Sequence, residues 1–183
     1  ALMTGATLVL MDHFHPRKTL ESIQRERITM LGQVPTMFIM EFNLPDFAEF
    51  DLSSLRTVVV AGAATPPPVM AKMMKINENV TVITGYGMTE VAGFVTYTEL
   101  DDDAETIART VGKVAPEFEM RVVDDQHSNL PVGEVGEVAI RGSCVMKGYF
   151  ENPVETAEAI DADGWFYTGD QGRLDARGYL TLV

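Results

Sequence analysis

Cysteine, basic residues and long apolar runs are all scarce in this sequence. A single cysteine, Cys144, leaves no partner for an internal disulfide and fits a reducing compartment. No basic cluster or helix start flanks it, so a reactive role has no support. Lys and Arg number 14 against 27 Asp and Glu, a net charge of −13. A phosphate backbone needs a basic face, so nucleic acid is a poor partner. No stretch approaches the ~18 consecutive apolar residues of a membrane-spanning helix. The apolar opening, residues 1–11, carries no basic leader and includes Thr4 and Thr7, which makes a poor signal peptide. These shortages predict a cytoplasmic location. His13, His15 and His127 stand at no metal-ligand spacing from Cys144 or from paired carboxylates, and are read as loop histidines.

What is present reads as an ordinary globular chain. Hydrophobic residues make up 46% and charged residues 22%, a balance that supports a packed core. At 183 residues there is room for one good-sized core or two small ones. Apolar runs at 7–11, 28–31, 57–60 and 80–83 are predicted strands. Pro16, Pro35 and the Pro66-Pro67-Pro68 run open predicted helices between them, because proline suits a first helical turn. On the first helix Leu20, Ile23 and the stem of Arg27 share a face. The methionines 70, 73 and 74 fall on one helix and are read as core. Alternating strand and helix predict a parallel, doubly wound sheet.

After residue 93 short strands with Gly and Pro turns take over, at 94–97, 119–123, 137–141 and 179–182. One helix is predicted over 153–160, capped by Asn152. The fold class is therefore α/β: a doubly wound βα half, 1–100, followed by a small antiparallel, barrel-like β subdomain, 101–183. The acidic run Asp101-Asp102-Asp103 marks the boundary as a solvated loop. The last residues read as the middle of a strand and the first lack a conventional start, so the chain is expected to be a piece of a longer protein with both ends truncated.

One stretch carries the chemistry. Val80-Thr81-Val82-Ile83 leads into Gly85-Tyr86-Gly87-Met88-Thr89-Glu90, read as a strand that stops at a glycine turn. An aromatic face, a hydroxyl and a carboxylate then stand together. That set suits a nucleotide: a ring for a base, a hydroxyl for a phosphate oxygen, a carboxylate for a metal ion. The bland alternative is a tight turn with a surface Glu. A mobile anion can bind through backbone N–H groups and Mg2+, so net charge does not exclude it. Ala61-Gly62-Ala63-Ala64 marks a second strand end, where missing side chains leave room for a flat ring; close helix–strand packing is the alternative. Asp170, in Thr168-Gly169-Asp170 after an aromatic strand, is able to accept from both hydroxyls of a ribose, or else caps its own turn.

Taken with Gly133-Glu134-Val135-Gly136-Glu137, Lys147-Gly148-Tyr149-Phe150, Asn152-Pro153 and Thr156, the order of these motifs resembles the AMP-forming adenylating enzymes: acyl-CoA synthetases, peptide-synthetase adenylation domains and luciferases. The resemblance covers nearly the whole chain. It implies an acid–CoA ligase that uses ATP, Mg2+ and coenzyme A to activate a carboxylic acid, a fatty acid in the first instance. It places Ala63 and Ala64 in the adenine and acyl pockets, with residues 33–38 as a further wall. Gly85, Tyr86, Gly87, Met88 and Thr89 fall on the nucleotide, with Tyr86 against adenine and Thr89 on phosphate. It puts Mg2+ on Glu90 and ribose on Asp170. Thr89 and Glu90 are the expected catalytic pair.

Met88 is the residue found in acyl-CoA synthetases, where carrier-loading domains usually have Pro. Thr65 stands where proline is common, and Gln171 where leucine is usual. Thr110-Val111-Gly112-Lys113 resembles a loop near the acyl group, whereas Gly148, Tyr149 and Glu134 are assigned to turns and packing. The Gly172-Arg173-Leu174-Asp175 run comes too early to be the family's hinge. A Lys-ending phosphate loop, the hinge and the C-terminal lysine are absent, so the chain alone is expected not to complete adenylation. Two alternatives stay open at this point: an adenylation domain that loads an amino or aryl acid onto a carrier protein, and a non-catalytic nucleotide-binding or scaffold module.

Overall fold

The computed structural model describes residues 2–183, in which the chain forms two compact units, Ala1–Val82 and Ile83–Val183. In the first unit, Pro16 opens helix α1 (Pro16–Glu26), and His15 caps it by accepting from the Lys18 N–H. Leu20 and Ile23 are buried on the expected face and pack with Leu52 and Leu55. Arg27 does not lie along that face. Its N–H donates to the Ile23 carbonyl, and at φ 49° it turns left-handed and ends the helix.

Strand β1 (Met30–Gln33) follows, two residues later than its apolar run suggested. It pairs in parallel with β2 (Thr57–Val60), Leu31 opposite Val58 and Gln33 opposite Val60. Helices α2 (Pro35–Phe42) and α3 (Pro67–Met73) each start on a proline, and Met70 and Met73 are buried as core. The predicted strand at 7–11 is absent. No described strand lies beside it to pair its backbone, and Leu8 and Leu10 are 66% and 79% exposed.

The unit boundary falls inside β3 (Thr81–Met88). That strand does not stop at Gly85. It runs on to Met88, paired antiparallel with β4 (Gly93–Tyr97), and the chain reverses later, in a 3-10 turn over Thr89–Val91 closed by left-handed Ala92. Strand β4 in turn pairs with β5 (Lys113–Val114). Between them lies a helix that the sequence did not announce, α4 (Ala104–Arg109), capped by the carboxylate of Asp103, which accepts from the Thr106 N–H at 2.8 Å. Part of the acidic run is thus a helix cap.

Strands β6 (Phe118–Val123), β7 (Gly136–Gly142), β8 (Phe166–Leu174) and β9 (Leu180–Leu182) form an antiparallel sheet in that order. Leu180 exchanges backbone bonds with Val111 and Gly112, which curls β9 toward the β4–β5 ribbon. The core inside this curl holds Tyr86, Val91, Val95, Val138, Ile140, Phe166 and Leu180. Helix α5 (Pro153–Ala159) sits beyond β7, its first turn capped by Asn152 as expected. On the sheet, two guanidinium groups lie over the ring of Trp165, Arg121 at 4.0 Å and Arg141 at 4.7 Å. The α/β class, a parallel βα part and a curled antiparallel part, is the one expected.

Candidate functional site

The glycines of the central stretch serve the β3–β4 pairing. Neither has a positive φ. A Cβ at Gly85 would run into the Thr96 carbonyl and the Phe94 ring, and one at Gly87 would overlap the Gly93 carbonyl. A register shift between Tyr86 and Gly87 loosens the ladder at this point. The strand is fixed by side chains as well. Thr98 Oγ1 accepts from the Thr84 N–H at 3.0 Å, Thr96 Oγ1 accepts from the Tyr86 N–H at 3.1 Å, and the Thr96 hydroxyl donates onward to the Val111 carbonyl.

Tyr86 is 8% exposed, its ring packed into the core of the second unit. Its hydroxyl donates to Asp170 Oδ2 at 2.6 Å, across 84 positions of sequence. Burial, and then the carboxylate it faces, push the phenol above its ordinary range, so it stays protonated and donating. Thr89 is exposed and Glu90 half-buried, both in the turn after β3.

Asp170 does not sit at a strand end. It lies within β8, on a bulge. Tyr167 pairs with Ala139 and Gln171 with Glu137, so residues 168–170 together face Val138 alone. The bulge has its own bonds: Thr168 Oγ1 donates to the Val138 carbonyl at 2.8 Å and accepts from the Asp170 N–H at 3.1 Å. Glu137 Oε1 accepts from the Gly169 N–H at 2.8 Å. Bulges bend a strand and re-aim its side chains. Here Asp170 is left exposed, with one oxygen under the Tyr86 hydroxyl.

A contact absent from the sequence reading joins the first motif to a later one. The Tyr149 hydroxyl donates to Glu90 Oε1 at 3.2 Å, and the Met146 N–H donates to the Glu90 carbonyl at 2.7 Å. Tyr149, read from sequence as a packing residue, therefore stands at the carboxylate. No spacing signals this, since the partners are 59 positions apart. Ala63 and Ala64 lie exposed in the irregular segment between β2 and α3, in the first unit.

The AMP-binding enzyme family model matches residues 1–150. The chain belongs to the AMP-binding enzyme family. Among similar AMP-binding enzymes and their relatives is a propanoyl:CoA ligase of Mycobacterium tuberculosis, whose propanoyl group carries a methyl-dioxo-octahydroindenyl ring. It is 42% identical over 183 residues, covering 100% of this chain and 34% of that protein. The human mitochondrial medium-chain acyl-CoA ligase ACSF2 is 39% identical over 186 residues, covering 100% of this chain and 30% of that one. Among solved structures, the amide bond synthetase McbA from Marinactinospora thermotolerans superposes with a TM-score of 0.89 at 37% identity, covering 100% of this chain and 36% of that chain. The chain thus spans about a third of the length of the curated relatives it matches.

The donor set can be judged against the groups this family implies. Among the described residues no three His, Cys, Asp or Glu side chains cluster as a metal cage. Mg2+ asks for less, because it keeps several waters and is held through one or two carboxylates together with substrate phosphates. The Glu90 carboxylate next to the Thr89 hydroxyl fits an ion that arrives with a nucleotide. Asp170, exposed and acceptor-only when ionised, fits a diol. Among the described residues no helix is long and apolar enough to cross a membrane.

Proposed function

We propose that the whole protein is an ATP-dependent, AMP-forming acid–CoA ligase. The carboxylate of its substrate attacks the α-phosphate of ATP, giving an acyl-adenylate and pyrophosphate, and the thiol of coenzyme A then displaces AMP. The observation that carries this reading is Asp170 standing out on its bulge under the Tyr86 hydroxyl, in the unit where Glu90 follows the same strand. Asp170 accepts from the two ribose hydroxyls, and Tyr86 keeps the carboxylate turned toward them. The 8% of Tyr86 that stays exposed is the surface left for adenine. Thr89 meets a phosphate oxygen. Mg2+ supplies charge neutralisation at the phosphates when bound, and Glu90 holds it there. Gly85, Gly87 and Met88 form the backbone floor under the nucleotide. Positioning and preset charge do the main work, as neither needs a nucleophile from the protein.

The names of the similar ligases support coenzyme A as acceptor, and Met88 agrees with them. A fatty acid of medium length is the first substrate class to try. The likeness to an amide bond synthetase supports a second acceptor, an amine, on the same adenylate. The test is ATP–pyrophosphate exchange by the whole protein across short, medium, long and aromatic acids, followed by product analysis with coenzyme A or an amine. Acid-dependent exchange and a thioester are the expected results. A folded protein that binds AMP yet exchanges with no acid would overturn the ligase reading, and an amide in place of the thioester would overturn the acceptor.

A further inference from the structure

Glu90 is held from two sides by a segment far from it in sequence. Its carbonyl accepts from the Met146 N–H, and its Oε1 accepts from the Tyr149 hydroxyl. Tyr149 is itself anchored. Its N–H donates to Thr156 Oγ1 at 2.9 Å, and that hydroxyl donates to the Asn152 carbonyl at 2.7 Å, inside the capped first turn of α5. Gly148, at φ 147°, has no room for a Cβ, which would come within 2.6 Å of the Thr156 methyl group. The chain of contacts therefore runs from the start of α5 through Thr156 and Tyr149 to one carboxylate oxygen. Only Oε1 receives this bond, and among the described residues Oε2 has no hydrogen-bond partner.

We infer that Tyr149 is a positioning residue for Glu90: it fixes the carboxylate so that its second oxygen is presented to a divalent cation. The inference rests on the reading of Glu90 as the metal-holding residue. Supports of this kind orient a ligand before the metal arrives, which saves ordering at the moment of binding. The contact also makes α5, which touches no proposed ligand, part of the metal site.

The test uses the whole protein with Mn2+ as the probe, its binding in the presence of ATP followed by electron paramagnetic resonance, with activity as a separate readout. Tyr149→Phe keeps the ring and loses the donor. It is expected to weaken Mn2+ binding about fivefold, the size of one lost hydrogen bond, at an unchanged melting temperature. Glu90→Gln is expected to weaken it further, and adding Tyr149→Phe in that background is expected to change nothing more. Thr156→Val should shift binding in the same direction, and Thr156→Ser should restore it. Unchanged Mn2+ binding in Tyr149→Phe while Glu90→Gln weakens it would overturn the positioning role alone, as would additive losses in the double variant. Unchanged binding in Glu90→Gln would remove the metal reading of Glu90 and this inference with it.

Discussion

Glu41 in the first unit and Glu90 in the second are held in opposite ways. Glu41 is 2% exposed on α2, and its one side-chain partner is the Gln33 amide, which donates to Oε1 at 2.8 Å. The phenyl and phenol side chains of its unit are all phenylalanines. Glu90 is half-buried beneath a tyrosine hydroxyl, and the same device recurs through the second unit. Tyr86 donates to Asp170, Tyr167 to Asp161 at 2.8 Å and Tyr179 to Asp102 at 2.5 Å. All five tyrosines lie beyond Val82. Both oxygens of Asp161 and of Asp102 are bonded, whereas among the described residues Glu90 Oε2 and Asp170 Oδ1 carry no hydrogen bond, which leaves one oxygen of each for a ligand. A carboxyl sealed in an apolar core with an amide favours its neutral form and serves packing. Burial pushes Glu41 up from 4.5 to about 7, with Gln33 pulling the other way. The neutral acid gains a donor, and the buried Gln33 Oε1 has no partner among the described residues.

The largest effect expected from this contrast is on stability in the first unit. A carboxyl whose folded value lies above its unfolded value binds more protons when folded. Its contribution is full below pH 4.5 and is lost as pH rises to about 7, a total of about 3 kcal/mol. Urea unfolding of wild type and Glu41→Gln at pH 5 and pH 8 measures it. The variant should gain on the wild type by up to that amount at pH 8, and equal differences at both values would break the contrast. Next comes Asp170→Ala. Loss of two charge-assisted bonds to a ribose should weaken AMP binding by the whole protein about a hundredfold in calorimetry, while a change under threefold would remove the diol site. Tyr86→Phe tests the phenol device itself. It should cost AMP affinity about fivefold, and should add little once Asp170 is already Ala. The smallest effect belongs to a carboxylate with neither kind of protection. Glu105, 73% exposed beside Arg109, should change the melting free energy by no more than about 0.5 kcal/mol when made Gln.

Much of the fold was legible from local signals. Pro16, Pro35 and Pro67 each open a helix, Asn152 caps α5, and the Thr57–Val60 run is β2 as read. The failures share a cause, dependence on a remote partner. Gly85 and Gly87 look like a turn in one dimension, yet they are the places where β4 comes too close for a side chain. The Thr168-Gly169-Asp170 run looks like a strand end, but β7 continues past it and turns it into a bulge. Residues 7–11 have strand composition and no described strand beside them. Helix α4 is short and was hidden by reading its cap as solvated charge. Tyr86, Glu90 and Asp170, the residues of the proposed site, were chosen from residue type and motif order. The bonds among Tyr86, Asp170, Glu90 and Tyr149 could not be read that way, because they span 59 and 84 positions.

Trp165, packed under Arg121 and Arg141, is the only tryptophan of the chain. With every tyrosine also beyond Val82, the tyrosine and tryptophan emission comes from Ile83–Val183. A fluorescence melting curve of residues 1–183 therefore has its emitters in one unit. Replacing Phe47 with tryptophan would give the silent part a voice of its own, and loss of either guanidinium beside Trp165 should shift the colour of the native signal.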